Sequence, residues 1–445
     1  MASIHIIGGK KLKGRVRLQA AKNAVLPIIA ACILTKSTVV LKNCPPLLDI
    51  LAMLEIIRSL GGRAEFDNID NQIQLDCSSL ALNKIDDNLT GLLRSSIFIL
   101  GPLLSRFKAA KLSLPGGCKI GSRPIDIHLD GLKKLGVTFD DSDENLINCD
   151  GSKMKSGIIN LKFPSVGATE NLMMAAALLD GATVIHGAAK EPEVVDLANF
   201  ISHLGAKIYG AGTDTIIIEG SANLLNTTQT IEYTPISDRI VAGTYLCGVA
   251  MTGGRIQIDN VNPLHIYPAI QVLKQTGVRF RFFKEDKKIP ACVGNLVKKG
   301  IFNPIGTLII SASGRPKGCH HIETSPYPLF PTDLQAQFGA LFSSTKNHIG
   351  VISENLFESR FGYIEGLKKM GAVVYTNANT AVFKGSRLVG ASVRAEDLRG
   401  GAALCLAGLK AEGKTIVSDI FHIDRGYYKI EEDLKALGAN IWREQ

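Results

Sequence analysis

Hydrophobic and polar positions repeat in one pattern six times along the chain. In the first copy Ile50, Met53, Leu54 and Ile57 follow the i, i+3, i+4, i+7 spacing of an amphipathic helix. A glycine closes each such stretch, where a positive φ costs glycine little, and residues that alternate like a half-buried strand follow it. The six glycines are Gly61, Gly136, Gly205, Gly277, Gly371 and Gly438.

A second sequence pattern occupies the other half of each repeat: a helix rich in Ala, Leu and Gly is followed by a short Thr/Val/Ile strand. Its six copies begin near Lys22, Arg94, Gly167, Arg239, Asp333 and Arg399. Each repeat is therefore about 70 residues of helix–strand–helix–strand, and neither helix can bury its apolar face alone. Three stacked repeats in each half predict two α/β domains of about 210 residues.

The interval from Gly277 to Gly371 is longer than the others by roughly 20–25 residues. The extra residues are assigned to the segment Lys284 to Ile305, which contains two prolines and Cys292. Loops tolerate insertions well, so a surface excursion is the expected structure. A lid or a partner-binding segment is the alternative.

Charged residues recur at the starts of these helices. A cation is unfavourable there, because the helix macrodipole already places positive charge at the N-terminus. Lys22, Arg94, Arg239 and Arg399 in this position favour a bound anion, such as a phosphate or a carboxylate. The alternative is that each cation is solvated or paired with a nearby acid.

Asp333 is the acidic member of this set. Among cations it is a candidate general base that its neighbours keep ionised, with Thr332 as the helix cap. The alternative is an ordinary acid in the first turn of a helix.

The loop from Leu114 to His128 is rich in glycine and proline and contains Cys118 beside Lys119 and Arg123. Neighbouring cations favour a thiolate, so Cys118 is a candidate proton donor or nucleophile; an incidental loop cysteine is the alternative. The other eight cysteines are mostly in apolar stretches and are expected to be packing residues. Adjacent side chains in a strand point to opposite faces, so Cys319-His320-His321 does not predict a metal site.

Composition narrows the class of protein. The chain has 445 residues, and its 46% hydrophobic and 20% charged residues are typical of a globular protein. The longest apolar stretch is about a dozen residues, too short to span a membrane, and the first ten residues lack the pattern of a secretion signal. Nine scattered cysteines without a Cys-x-x-Cys pair predict a reducing, cytoplasmic location and no structural zinc.

The net charge of +9 permits an anionic partner without identifying one. Basic residues are dispersed along the sequence and there is a single tryptophan, so a small acidic substrate is expected rather than a nucleic acid. The phosphate-binding motifs of Walker and Rossmann type are absent from the sequence, as is the Gly-x-Ser-x-Gly motif of many hydrolases.

Six motifs carry a resemblance that runs over essentially the whole chain. They are Ala21-Lys22-Asn23-Ala24 with Leu26-Pro27, residues 114–128, Phe330-Pro331-Thr332-Asp333-Leu334-Gln335, Phe357-Glu358-Ser359-Arg360-Phe361, Asp397-Leu398-Arg399 and His422-Ile423-Asp424-Arg425-Gly426-Tyr427. With these motifs the sequence is similar to the UDP-N-acetylglucosamine 1-carboxyvinyltransferases, the enolpyruvyl transferases that open peptidoglycan synthesis. The Cys118 loop separates them from the related enolpyruvylshikimate-phosphate synthases.

The resemblance implies a fold of two similar domains, each of three βαβαββ repeats, which is called an inside-out α/β barrel. One domain would be residues 22–236, with the Cys118 loop, and the other residues 1–21 with 237–445. The active site would lie in the cleft between the domains.

The reaction implied by the resemblance adds the 3′-hydroxyl of UDP-N-acetylglucosamine to C2 of phosphoenolpyruvate and then eliminates phosphate. Cys118 would protonate the methylene carbon, and it can also form a covalent adduct with the substrate. The same residue would be the nucleophile that the epoxide fosfomycin traps. Asp333 would accept the hydroxyl proton. Lys22, Arg123 and Arg399 would surround phosphoenolpyruvate, with Asn23 beside it.

The UDP-sugar site implied by the resemblance involves residues from several helix starts, with Arg360 as a further cleft residue. No cofactor, metal, nucleic acid or membrane insertion is implied, and no protein partner is named. The residues implied for the UDP-sugar are Arg94, Arg123, Pro124, Ile125, Asp126, Ile127, Phe163, Pro164, Ser165, Val166, Asp333 and Leu356.

Three positions depart from the family pattern: the insertion at Lys284–Ile305, Ala20 in place of a common glycine, and Leu48 in place of a polar residue near the substrate. Two other functions stay open. A shikimate-type transferase would use the same fold with a different acceptor, and a catalytically silent paralogue would act as a binding or regulatory protein.

Overall fold

The computed structural model divides the chain into two compact units. One unit is formed by Ala20–Cys118 and Arg123–Ile236, and the other is formed mainly by Ser237–Gln445 together with the first 19 residues. The structure describes residues 2–81, 94–114, 125–140, 142–143, 145–227, 229–284, 287–289, 303–317, 320–345 and 348–445.

The described residues of the unit within residues 20–236 form three sheets. In spatial order their strands are Ile231–Tyr233, Thr38–Leu41, Gln72–Asp76 and Arg63–Asp67; Ala109–Ser113, Leu146–Asp150 and Thr138–Asp140; and Lys207–Tyr209, Thr215–Glu219, Ala182–His186 and Ile158–Asn160. The helices are Lys22–Ala31, Leu48–Ser59, Leu100–Phe107, Asp126–Lys134, Val166–Ala176 and Pro192–Leu204, with 3₁₀ turns at Cys32–Leu34, Arg94–Ile99 and Ala222–Leu225.

The part of the second unit that the structure describes also forms three sheets. Their strands are Ser392–Arg394, Lys414–Ser418, Ser3–Ile7 and Asn440–Glu444; Lys287–Ile289, Arg279–Lys284, Gly306–Ala312, Gly254–Val261 and Leu12–Arg17; and His320–Glu323, Ile349–Ser353, Thr380–Lys384 and Val373–Asn377. The helices are Arg239–Thr252, Tyr267–Gln275, Gln335–Ser343, Tyr363–Lys369, Leu398–Lys410, Phe421–Asp424 and Ile430–Ala436, with a 3₁₀ turn at Thr332–Leu334.

The repeat predicted from the sequence is confirmed as a βαβαββ unit. In residues 158–219 a parallel pair of strands, Ile158–Asn160 and Ala182–His186, is joined through the helix Val166–Ala176. The helix Pro192–Leu204 then leads to two antiparallel strands that complete the sheet. The six glycines predicted to end helices have φ between 86° and 121°, which a residue with a Cβ rarely adopts.

The insertion begins as an added strand. Lys287–Ile289 pairs antiparallel with Arg279–Lys284, so this sheet has five strands where its counterparts have three or four among the described residues. The expectation of a surface excursion otherwise concerns residues 290–302, which lie outside the described part of the chain.

Several of the described helices in each unit are buried along most of their length. In Val166–Ala176 nine of eleven residues are buried, and in Leu398–Lys410 eleven of thirteen. Small residues allow these helices to approach closely: Gly101 donates its N–H to the Asn171 side chain over 2.6 Å. Within the described residues no helix is long and apolar enough to cross a membrane.

We expect Gly101→Ala to destabilise the unit that contains it. A Cβ at this position would lie 2.2 Å from the Asn171 carbonyl oxygen and 2.4 Å from its Oδ1. Neither atom can move without shifting a buried helix, so the free energy of unfolding should fall by about 2 kcal/mol or more in urea titrations. Gly157→Ala is the control, because its nearest neighbour atom would be 3.7 Å away. Equal stabilities of the two variants would contradict the packing argument.

Candidate active site

Asp333 lies between two arginines. Its Oδ1 accepts a hydrogen bond of 2.5 Å from Arg360 Nη2, and its Oδ2 accepts one of 2.9 Å from Arg399 Nη2. Both arginine side chains are 4% exposed and the Asp333 side chain is 25% exposed. One carboxylate therefore joins two buried guanidinium groups and remains accessible itself.

Each of the three residues is positioned by the start of a helix. Asp333 is in the 3₁₀ turn Thr332–Leu334, which leads into the helix Gln335–Ser343. Arg399 is in the first turn of Leu398–Lys410, and Asp397 caps that helix by accepting hydrogen bonds from the backbone N–H groups of Arg399 and Gly400. Arg360 precedes the helix Tyr363–Lys369. The repeat thus brings together residues that are up to 66 positions apart.

The two guanidinium groups keep Asp333 ionised. Burial alone would raise the pKa of this carboxyl, but the attraction and hydrogen bonds of Arg399 and Arg360 outweigh it and hold the pKa well below its usual range. Nε and Nη1 of both arginines are buried and have no hydrogen-bond partner among the described residues. Because unsatisfied buried donors are costly, these atoms are suited to an anionic ligand.

A buried polar network supports Arg399 from below. Its guanidinium carbon lies 5.5 Å from the centre of the Tyr427 ring. Tyr427 Oη is 2.8 Å from Thr244 Oγ1, and Gln337 Nε2 donates to both hydroxyl oxygens over 3.1 Å. These contacts connect three helices of the unit and hold the Tyr427 ring against which the Arg399 guanidinium packs.

Glu354 is a residue that the sequence analysis missed. It is 2% exposed, and its carboxylate accepts four hydrogen bonds. Oε2 accepts from Thr332 Oγ1 over 2.8 Å, and Oε1 accepts from Thr324 Oγ1 over 2.8 Å. Oε1 also accepts from the backbone N–H groups of Leu356, over 2.9 Å, and Phe357, over 3.2 Å. Glu354 therefore ties the turn before Asp333 to the segment that leads to Arg360.

The expectation that Thr332 caps a helix is wrong. Its hydroxyl is directed to Glu354, and Pro331 occupies the cap position without a side-chain hydrogen bond. The sequence signal for Glu354 is weak: an acid directly after a strand, two and three residues before the N–H groups that it accepts from.

In the other unit Lys22 is paired with an acid. Its Nζ is 2.6 Å from Asp49 Oδ2, and the two side chains are 12% and 6% exposed. Lys22 begins the helix Lys22–Ala31, while Asp49 is in the first turn of Leu48–Ser59. Asn23, the next residue, is half-buried, and Leu48 is 37% exposed.

Other residues implied for the UDP-sugar also lie at helix starts of this unit. Ile125, Asp126 and Ile127 open the helix Asp126–Lys134. Phe163, Pro164, Ser165 and Val166 open Val166–Ala176, where the Ser165 side chain accepts from Ala168 N–H and Phe163 is 45% exposed.

Asn171 links these helices. Its Nδ2 donates to the Ile97 carbonyl over 2.9 Å and lies 3.1 Å from His128 Nδ1, while Oδ1 accepts from Gly101. Because the side chain is fully buried, it fixes the helix that begins beside Asp126 against the turn that begins at Arg94.

The argument that cations at helix starts require a bound anion is weakened by the structure. Lys22 is paired with Asp49 and Arg399 with Asp333. Arg239 follows Asp238, whose carboxylate caps the helix, and its guanidinium lies 5.7 Å from the centre of the Tyr327 ring. The alternative of an acidic partner thus holds for Lys22 and Arg399. Nε and Nη1 of Arg399 still have no hydrogen-bond partner among the described residues, so an anion could still bind there.

Several candidate residues lie outside the described part of the chain. These are Cys118, Arg123 and Pro124, together with the side chain of Arg94, whose backbone begins the turn Arg94–Ile99. Six of the other cysteines are buried as packing residues, and burial raises the pKa of each thiol, to about 12 for Cys44, Cys77, Cys149 and Cys405. Burial also raises the pKa of the Cys32 and Cys247 thiols.

Glu354→Ala should release both segments that Glu354 holds. Amide hydrogen exchange at Leu356 and Phe357 should accelerate, and misplacement of Asp333 should lower by about 100-fold the phosphate-release activity that the resemblance implies. Glu354→Gln keeps an acceptor oxygen for Thr324 and the two backbone N–H groups, and its amide nitrogen can donate to a rotated Thr332 hydroxyl, so this variant should retain most of the activity. The exposed Glu365→Ala is the control. Unchanged exchange in Glu354→Ala would refute the positioning role.

Comparisons with known proteins identify the family of this chain. The family model of EPSP synthase (3-phosphoshikimate 1-carboxyvinyltransferase) matches residues 6–434. The chain is 46% identical over 444 residues to UDP-N-acetylglucosamine 1-carboxyvinyltransferase 2 of Caldanaerobacter subterraneus subsp. tengcongensis, and 42% identical over 444 residues to that of Clostridium tetani, with complete coverage of all chains.

Solved structures share the fold. The enolpyruvyl transferase NikO from Streptomyces tendae aligns with a TM-score of 0.84 at 24% identity, over 99% of this chain and 98% of that one. EPSP synthase from Acinetobacter baumannii aligns with a TM-score of 0.74 at 18% identity over all of both chains. The predicted inside-out α/β architecture is confirmed, and the chain belongs to the enolpyruvyl (1-carboxyvinyl) transferase family.

Proposed function

We propose that the protein transfers the enolpyruvyl group of phosphoenolpyruvate to the 3′-hydroxyl of UDP-N-acetylglucosamine and releases phosphate, the first committed step of peptidoglycan synthesis. The observation that carries the proposal is the full-length identity of 42–46% to curated enzymes of that name. The carboxylate between two arginines with free donors supports it chemically.

Asp333 is the general base of the proposed mechanism. It takes the proton of the sugar hydroxyl as the oxygen forms its bond to C2, while the methylene carbon C3 gains a proton. In the second step the C2–O bond to phosphate breaks and C3 loses a proton, which restores the C2–C3 double bond and gives the enol ether product with free phosphate. Asp333 is ionised, as a base must be, and a quarter of its side chain is exposed to a reactant.

Substrate binding would strengthen this base. A phosphate or carboxylate held by Nε and Nη1 of Arg399 would offset part of the positive charge that lowers the pKa of Asp333. The pKa would rise toward its ordinary value, and proton transfer from the hydroxyl would become more favourable. The base would thus be most active when phosphoenolpyruvate is bound.

The remaining roles are assigned by the family resemblance. Lys22, Arg123 and Arg399 compensate the charges of phosphoenolpyruvate, with Asn23 beside it, and Cys118 protonates C3. The helix starts at Ile125–Ile127 and Phe163–Val166, with Arg94, Pro124, Leu356 and Arg360, contact the UDP-sugar. We also propose that residues 22–236, and residues 1–21 with 237–445, are the two catalytic domains, and that the enzyme acts in the cytoplasm without cofactor or metal.

A shikimate-type acceptor is the nearest competing proposal. The structural relatives named EPSP synthase are only 18% identical to this chain, whereas those named for UDP-N-acetylglucosamine reach 46%. A silent paralogue is disfavoured because Lys22, Cys118, Asp333 and Arg399 are all present.

Phosphate release tests the proposal directly. The protein should release phosphate from phosphoenolpyruvate only when UDP-N-acetylglucosamine is present. Release with shikimate 3-phosphate instead would assign the competing acceptor. Absence of release with either acceptor would leave the silent paralogue, and release without any acceptor would contradict the transfer reaction.

Asp333→Asn should lose at least 100-fold in kcat, because the amide cannot accept the hydroxyl proton. Since the folded state lowers the pKa of Asp333, its contribution to stability is present above the ordinary pKa of about 3.9 and is lost as the pH falls below it. The stability difference between wild type and variant, about 3 kcal/mol near neutrality, should therefore shrink at pH 3.

Asp419→Asn is the matched control for that variant. Asp419 pairs with Arg394, whose side chain is 70% exposed, so its loss should cost less than about 1 kcal/mol and leave kcat unchanged. A full kcat in Asp333→Asn would remove the base from the mechanism.

Cys118→Asp should keep part of the activity, because a carboxylic acid still donates a proton to C3. It should lose covalent trapping by fosfomycin, which requires the thiolate. Mass spectrometry of the intact protein after incubation with the epoxide measures the adduct. An adduct that persists in the variant would show that another residue is the nucleophile.

A further inference from the structure

The five-stranded sheet has a solvent face formed by alternate residues. In the edge strand Leu12–Arg17, Leu12 and Val16 are buried, whereas Lys13, Arg15 and Arg17 are exposed. Two other strands of the sheet, Gly254–Val261 and Arg279–Lys284, follow the same alternation and expose Arg255, Arg279 and Arg281. We define these six residues as the cationic face.

The strand register brings the six side chains together. Lys13 pairs with Arg255, which pairs with Ser311, and Ser311 pairs with Arg279. One row further, Arg15 lies opposite Gln257, and Arg281 opposite Ile309. Adjacent strands are about 4.8 Å apart and alternate residues about 6.8 Å, so the six cations lie within an area of roughly 15 by 15 Å.

Within the described part of these strands little negative charge offsets them. Among the described residues of these strands Asp259 is the acid on this face, and its side chain is 7% exposed. It forms an ion pair with Arg15 and accepts hydrogen bonds from Thr307 and Gln257. Lys13 and Arg255 lie directly opposite each other, which is unfavourable between like charges. The arrangement costs stability unless an external anion is present.

The other five sheets are internal controls, because they have the same architecture and an equivalent solvent face. Within the described residues each of those faces has one or two lysines or arginines and at least one acid. The cations are Arg63, Lys111, Lys207, Lys384, and Arg394 with Lys414. The corresponding acids include Asp67, Asp150, Glu219, Glu323 and Glu444. The repeat itself therefore does not produce a cationic face.

We propose that the cationic face binds the surface of a bilayer that contains anionic lipids. The face is a sheet surface, so its cations can meet a flat array of headgroup charges together. Its described residues include no exposed large apolar side chain, which a specific protein interface needs at its centre. They include no exposed aromatic ring for stacking on bases and no helix to enter a duplex groove.

Binding of this kind is electrostatic and reversible. Each basic residue near an anionic bilayer contributes about a fivefold gain in affinity, and Arg15 contributes less because Asp259 neutralises it. Adsorption through this face needs no membrane-spanning segment, and none of the six residues of the cationic face is a proposed catalytic residue.

Co-sedimentation with vesicles tests the proposal. The full chain should bind vesicles of equal parts phosphatidylglycerol and phosphatidylcholine, and should not bind phosphatidylcholine alone. High salt should release it. The triple variant Lys13→Gln/Arg279→Gln/Arg281→Gln should bind about 100-fold more weakly, with unchanged phosphate release.

The matched control removes the same charge elsewhere. Lys207→Gln/Lys384→Gln/Lys414→Gln changes one lysine on each of three other sheet faces and should bind vesicles like the wild type. Equal losses in both triple variants would mean that net charge alone drives binding, and would overturn the proposal. Binding of duplex RNA without binding of anionic vesicles would also overturn it and would assign the face to a nucleic acid.

Discussion

The whole architecture depends on burying helices almost completely inside each unit. Helices such as Leu398–Lys410 contact protein on almost every side, so the polar groups at their starts have little access to bulk water. They need partners close at hand. Asp397 and Asp238 meet part of this requirement as caps, and Asp333 meets the charge of Arg399. At the candidate site these partners leave Nε and Nη1 of Arg399 and Arg360 without a hydrogen bond among the described residues.

The electrostatic balance around Asp333 is a compromise between two needs. Two buried guanidinium groups need an acid between them, because an unpaired buried charge is costly. The same pairing lowers the pKa of the acid and makes it a weaker base until an anion takes up part of the positive charge. Glu354 accepts a hydrogen bond from Thr332, and the Tyr427 ring packs against Arg399, so both residues fix this geometry.

A comparison of the six sheets shows which surface features the repeated fold requires and which can vary from one sheet to another. All six sheets have a buried face and a solvent face, and five solvent faces carry mixed charge among their described residues. The sixth combines a cationic edge strand from the first 19 residues with strands more than 200 positions later. The same sheet carries the added strand Lys287–Ile289. Departures from the repeat thus concentrate on one sheet.

The sequence by itself determined the repeat, its helix ends and the identity of the family. Local rules suffice there: a glycine with positive φ closes a helix wherever apolar spacing ends, and six copies reinforce one another. Asp333 and Arg399 were also found, because they recur at one register. Tertiary structure alone decided the partners. Asp49, Glu354 and Arg360 meet their partners across tens of residues, and the cations judged dispersed along the chain converge through strand pairing, which one-dimensional spacing does not reveal.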